Sequence, residues 1–292
     1  MAALTNKIDF ALVFTARNAN PNGDPLDGNR PRTTGDGKGE VSEVCLKRKI
    51  RNRLQDDGQP IFVQSDDRRV DDYRSLRDRA DNNPALAACQ KEIKKGTKTR
   101  EDYARIACQS WYDVRAFGQV FAFKNSKKSK EDDTGADAVS IGIRGPVSIQ
   151  PAFSLKPVNV TSSQITKSVN LETGSDPDKK GADTMGMKHR VDFGVYVTYG
   201  SINVQAASKT GYSHKDADAL KEALRTLFRN DATSARPEGS MEVIDVIWWE
   251  HNCPNGQYSS AKVHRTLRVD PVTGAVATDD LPGLTPEVIP GE

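Results

Sequence analysis

Apolar side chains dominate and alternate between Lys7 and Ala16, the pattern of a first strand mostly buried in a sheet. The pattern stops at Asn18. From there to Glu40 the chain is dense in Gly, Asn, Asp and Pro with no period, which predicts a long loop that is functional or disordered. Ser42 can cap a helix with Glu43 favourable in its first turn, and Leu46, Ile50 and Leu54 then share one stripe. Asp66 to Trp111 mixes charges densely around a second capped helix, with Thr99 three residues before Asp102 and then Tyr103, Ile106 and Ala107, and reads as a helical insertion. Val114 to Phe123 returns to strand-like composition, and the polar tract Lys124 to Asp137 reads as a mobile loop. Ile141 to Ile149 alternates as a single strand with one buried face, at an edge or bulge because of Pro146. Lys156 to Lys188 is polar, and the turn residues from Gly174 to Gly181 predict the tip of a long hairpin arm. The arm returns into Val191, Phe193, Val195, Val197 and Tyr199, which alternate as a strand. Ser213 and Asp216 open a helix whose docking face is Leu220, Ala223, Leu224, Leu227 and Phe228. The last clear strand is Glu242 to Glu250, where Trp248 and Trp249 point to opposite faces and at least one belongs to the core.

Without the insertions, the order is strand, helix, strands, helix, strand. That order predicts an α+β protein on the ferredoxin-like plan, the scaffold also used by RNA-recognition modules. It would place the Asn18 to Glu40 loop and the start of the first helix at the same edge of the sheet, where a helix N-terminus offers free backbone donors to an anion. Fold alone decides no function.

Charge sharpens this picture. The run Cys45-Leu46-Lys47-Arg48-Lys49-Ile50-Arg51-Asn52-Arg53 carries five cations in nine residues and no acid. Such a run is costly to assemble unless something anionic lies nearby, although a solvated helix face is the commoner meaning of a charge run. Helical spacing puts Lys47, Arg48 and Arg51 on one flank of the apolar stripe and Lys49 and Arg53 on the other, with all five expected to point outward. The net charge is only +2 over 292 residues, but it is unevenly spread: Lys188-His189-Arg190 is a second basic cluster, and 270–292 carries five acids without Lys or Arg. Hydrophobic content of 36% with 28% charged residues fits a cytoplasmic protein, and no run approaches the roughly 20 apolar residues that cross a bilayer. Cys45, Cys89, Cys108 and Cys253 have no paired spacing, so neither a disulfide framework nor a zinc site is indicated. His189, His214, His251 and His264 show no metal-ligand spacing, and no nucleophile or phosphate-loop motif is present. No catalytic residue, metal or cofactor is therefore assigned.

Five blocks in order carry a resemblance: Asn20-Pro21-Asn22-Gly23-Asp24-Pro25, Cys45 to Arg51, Asp113-Val114-Arg115-Ala116-Phe117-Gly118, Gly145-Pro146-Val147-Ser148-Ile149-Gln150, and Met187-Lys188-His189-Arg190-Val191-Asp192-Phe193-Gly194. On these the chain resembles the RAMP superfamily of CRISPR systems, and within it the backbone subunits of type I-C Cascade surveillance complexes. The resemblance implies a hand-shaped protein with an RRM-like palm (1–55, 112–155 and 190–269), helical fingers (56–111), a thumb hairpin (156–189) and an acidic C-terminal tail (270–292). It further implies several copies stacked along a crRNA, with the guide bases left to pair with target DNA. The remaining partners would be the crRNA 5′-end-capping or processing subunit, the large subunit and the small subunit.

A subunit repeated along any guide must grip sugar-phosphate and not base edges. Lys47, Arg48 and Arg51 suit that task. Asn20, Asn22 and Ser42 could add neutral hydrogen bonds, Arg30 and Arg32 could reach in from the loop, Arg144 could join from its strand, and Lys188, His189 and Arg190 could close the site. Related backbone subunits of type III complexes cut RNA with an acid of the first loop, where this chain has Asp24, Asp27 and Asp36. A metal-dependent endoribonuclease is thus the alternative to a non-catalytic scaffold.

Overall fold

A computed structural model of the chain describes residues 3–122, 140–166 and 185–292. The predicted loop from Lys124 to Asp137 and the predicted hairpin tip from Gly174 to Gly181 lie outside the described residues. The chain opens with β1 (Ile8–Ala19), the short pair β2 (Gly23–Asp24) and β3 (Arg30–Pro31), then β4 (Lys38–Val41) and α1 (Glu43–Asp56). Four helices follow: α2 (Leu76–Asp81), α3 (Pro84–Lys94), α4 (Arg100–Ser110) and α5 (Tyr112–Phe117). Next come β5 (Gly118–Ala122), β6 (Ser140–Arg144), β7 (Val147–Ile149), β8 (Ala152–Pro157), β9 (Val160–Thr166) and the 18-residue β10 (Met185–Ile202). The helices α6 (Val204–Thr210) and α7 (His214–Arg225) lead to β11 (Met241–Glu250), and α8 (Ser260–His264), β12 (Leu267–Val269), β13 (Val276–Thr278) and β14 (Glu287–Pro290) complete the described elements.

The main sheet is antiparallel, with strand order β14-β11-β1-β10-β8-β4 and with β7 and β9 also paired to β10. Period-two alternation gives the sheet two buried faces. Phe10, Leu12 and Phe14 of β1 join Tyr196 and Trp248 under Leu46, Ile50 and Leu54 of α1 and Leu220 and Leu224 of α7. Phe10 stacks on Trp248 at 5.6 Å and Phe14 on Tyr196 at 5.3 Å. Strand β10 can cross Phe10 only because residue 200 is glycine: a Cβ there would sit 2.2 Å from the Phe10 ring. On the opposite face Ala11, Val13, Val195, Val197, Ile247 and Trp249 meet Val263, Leu267 and Leu284. Both tryptophans are therefore core residues.

Several boundaries differ from expectation. The stretch Asn18 to Glu40 is not structureless: β2 pairs with β3, and β4 joins the main sheet through β8. Val114 to Phe117 is helical and not extended, because buried Asp113 accepts the backbone N–H groups of Phe62 (2.7 Å) and Val63 (3.0 Å) and fixes this turn. Gly118, at φ 80°, then ends the helix. The single strand expected over Ile141 to Ile149 is broken at Gly145-Pro146, so β6 pairs with β5 while β7 pairs with β10. The acidic segment 270–292, whose order the sequence leaves open, packs against the sheet. Leu284 is buried in the second face of the sheet, β14 pairs with β11, and Asp279, Glu287 and Glu292 are matched by Arg268, Lys221 and the pair Arg225 and Arg229. Pro286 and Pro290 remove N–H groups along this edge strand, which discourages further strand pairing.

Phe62, Leu86, Cys89, Tyr103, Cys108, Trp111, Val114 and Phe121 form a core of their own beneath α2, α3 and α4. Helix α5 belongs to both cores, since Tyr112 and Ala116 point into the main one and Val114 into the other. The capping boxes expected at Thr99 and Ser213 are both formed.

Candidate nucleic-acid interface

Helix α1 starts from a polar latch. Ser42 caps it, its Oγ accepting from Cys45 N at 3.3 Å, while Asn22 Oδ1 accepts from both Ser42 N and Ser42 Oγ at 2.9 Å. Asn20 Nδ2 donates to the Asn29 carbonyl at 2.7 Å. The neutral groups predicted to meet an anion thus hold the first loop onto the helix, and of their side-chain acceptors only Asn20 Oδ1 is buried without a partner.

The five cations of α1 divide in two. Contrary to expectation, Lys49 and Arg53 do not point outward: both are buried, Lys49 against Asp231 and Arg53 against Asp57, Asp56 and the Thr226 hydroxyl. The acids that neutralise them lie mostly far away in sequence or just past the run, so the run itself looked uncompensated. Arg51 donates through Nε to Asp113 Oδ2 at 3.0 Å and lies over the Phe117 ring. Lys47 stands over the same ring at 5.7 Å with no ion pair among the described residues, and burial first, then the nearby Arg51 charge, hold its pKa below the usual lysine value, partly opposed by Glu43. Arg48 also lacks an acidic partner among the described residues, and its Nη1 is buried without a hydrogen bond.

Lys47 opens into a groove of about 620 Å³. Arg144 and the turn Gly145-Pro146 form one wall, β7 and the end of β10 the floor, and Asn203, Gln205 and Lys209 of the α6 segment the far side. Among the described residues no carboxylate lines it. Lys209 and its α6 neighbours belong to no charge cluster or turn motif in the sequence, and only the fold brings them beside Lys47.

The second group lies at the opposite end of β10. There β9 pairs with residues Met185 to Val191 as a two-stranded arm. Alternation places exposed Lys188 and Arg190 on one side of the arm and His189 on the other, where His189 Nδ1 meets Ser162 Oγ at 2.7 Å. Arg30 Nη1 donates to the same hydroxyl at 3.1 Å, which ties the first loop to the arm. Arg32 pairs loosely with Asp24 at 3.6 Å. Arg190 and Ser201, which stand for the two ends, are separated along β10 by roughly 35 Å at a strand's rise per residue. The predicted cations are therefore gathered at two places and not one.

The loop acids serve the loop. Asp24 Oδ1 accepts from Leu26 N at 3.1 Å and caps a short turn, Asp27 lies 3.8 Å from Arg30, and Asp36 is bound by the Thr34 hydroxyl and Lys38. Among the described residues no three His, Cys, Asp or Glu side chains are grouped to hold a metal ion, and no helix is long and apolar enough to cross a membrane.

An antiparallel sheet that carries two helices on one face, with cations near both ends of its longest strand that have no ion pair among the described residues, defines an α+β protein with positive charge along its surface. The chain belongs to the CRISPR-associated protein Cas7 family, which it matches over residues 6–281. A curated relative from Haloferax volcanii, described as CRISPR-associated protein Cas7, is 29% identical over 241 residues, which is 78% of this chain. The match spans 66% of that relative's length, just under two thirds. Among solved structures, a chain of a "CRISPR RNA-guided surveillance complex, pre-nicking" aligns with TM-score 0.43 and 14% identity over 83% of this chain and 78% of that one. A chain of a "CRISPR RNA-guided surveillance complex" aligns with TM-score 0.44 and 16% identity over 94% and 77%.

Proposed function

We propose that the chain is a non-catalytic backbone subunit of a type I-C CRISPR Cascade surveillance complex, polymerising along the crRNA through sequence-independent sugar-phosphate contacts. The observation that carries this is the set of cations without an acidic partner among the described residues: Lys47, Arg48 and Arg144 near one end of the sheet, Lys188 and Arg190 on the arm. Family membership supports it, because the chain matches the Cas7 family over nearly its whole length. Phosphates need positive charge at intervals along a path and no particular base edge, and cations on α1 and β6 near one end of β10 with Lys188 and Arg190 at its other end meet that need. The sheet order β11-β1-β10-β8, with α1 and α7 on one face, supports a ferredoxin-like (RRM-like) palm; 56–111 would be the fingers and 156–189 the thumb. Guide bases would remain free to pair with target DNA, and the other Cascade subunits would cap the filament in the cytoplasm.

The structural duties of Asp24, Asp27 and Asp36 favour a scaffold over an endoribonuclease. Electron microscopy of the purified protein with single-stranded RNAs of increasing length tests the proposal: filaments whose length follows the RNA are expected, and a fixed one-to-one complex would refute it. Complementary RNA added with divalent metal should remain uncut; cleavage at regular spacing, lost on replacing the three loop aspartates, would move the assignment to a nuclease.

A further inference from the structure

We propose that Lys209 of α6 is a phosphodiester-binding residue, the third cation of a groove completed by Lys47 and Arg144. The inference rests on the nucleic-acid function proposed above and extends it to an element to which that proposal gives no role. Lys47, Arg144 and Lys209 come from three different elements onto one groove of about 620 Å³, and among the described residues no carboxylate lines it. Like charges converging on one groove raise the free energy of the unliganded fold, Glu43 opposing only the Lys47 charge among them, and a polyanion is the chemistry that reverses this.

The position of Lys209 is also fixed. Asn203 Oδ1 accepts from Ala206 N at 2.8 Å at one end of α6, and Gly211, in the left-handed conformation at φ 76°, closes the other while donating to the Ala207 carbonyl. Ala207 and Thr210 are buried, which leaves Ser208 and Lys209 exposed on a short, anchored helix. The backbone of this segment is tied to the opposite wall by Asn203 N donating to the Pro146 carbonyl at 3.1 Å. Gln205 Nε2 donates to Asn255 Oδ1 at 2.6 Å, so the neutral rim is held in place as well. A cation on a braced element loses less freedom on binding than one on a loop, and a phosphate placed there meets positive charge from more than one side.

The test uses the full chain and a fluorescent single-stranded oligouridine, with affinity measured across a salt series. Lys209→Glu should weaken binding several-fold and lower the slope of log affinity against log salt by about one. Lys91→Glu, the same charge change on exposed α3 in the other core, should do neither. If Lys209→Glu matches Lys91→Glu while Lys47→Ala with Arg144→Ala weakens binding, the role of Lys209 is overturned and the proposed function stands. If the Lys47 and Arg144 changes also have no effect, the groove is not a nucleic-acid surface at all. Unlabelled oligouridine should displace the probe where inorganic pyrophosphate at equal phosphate concentration does not. Equal displacement by pyrophosphate would show a site for small free anions and contradict the inference.

Discussion

Lys49 and Arg53 look in sequence like Lys47 and Arg48, yet the two sets live in different places. The first two are buried on the side of α1 that faces the α7 end and are held by Asp231, Asp56 and Asp57. The other two form no ion pair with an acid among the described residues, and Lys47, one turn after Glu43, looks into a groove shared with Arg144 and Lys209. A basic run therefore measures potential for anion binding only after each cation has been set against the acids that the fold returns to it. Arg51 falls between: its Nε is committed to Asp113, while its charge still lies over Phe117 beside Lys47.

The sharpest way to break this division is to strip an internal partner. Asp231→Ala strands the buried Lys49 ammonium and should cost about 3–5 kcal/mol of stability in chemical denaturation. Adding Lys49→Met should recover much of the loss, and an unchanged denaturation midpoint for Asp231→Ala alone would show that the pair is not a structural one. Next in size, Asp113→Ala removes the acceptor of two backbone N–H groups and of Arg51 Nε, and should cost about 2–4 kcal/mol by the same measurement. In the unpaired set the effect moves from stability to binding. Lys47→Ala with Arg144→Ala should not lower the thermal midpoint and should reduce the salt slope of RNA binding by about two. A fall in midpoint with no change in slope would reverse the division.

The smallest expected effect lies away from both sets. His264 stacks on Tyr199 at 4.8 Å and its Nε2 donates to the Gly200 carbonyl at 3.2 Å; burial lowers its pKa from the ordinary 6.5, partly opposed by Asp9. A histidine whose folded pKa is depressed binds its proton less readily in the native state than in the unfolded one. Its contribution is therefore complete above pH 6.5 and is lost as the pH falls below that value. Thermal unfolding of His264→Gln should show a weaker decline below pH 6.5 than the parent protein, and identical profiles would show that another group sets the acid limb.

Much of the fold was legible because local signals agreed with tertiary packing. The caps Ser42, Thr99 and Ser213, the stripe Leu46, Ile50 and Leu54, and the alternation around Val195 and Val197 each reappear as read. Two of the misreadings come from contacts distant in sequence. Asp113 makes a helix of strand-like residues by capturing Phe62 and Val63, and Leu284 packs the acidic tail, whose order the sequence leaves open, onto the sheet. The site was half legible for the same reason. Lys47 and Arg144 could be nominated singly, but nothing in the local sequence could place Lys209 beside them, give Lys49 an acid partner 182 residues away, or set the arm cations at the far end of β10.

The central claim is that unpaired cations grip a phosphate backbone without reading its bases. Affinity of the purified protein for two single-stranded RNAs of equal length and unrelated sequence, followed from low to high salt, tests it most directly. Superimposable plots with a steep negative slope are expected. Affinities that differ by orders of magnitude between the two sequences, or a slope near zero, would contradict it.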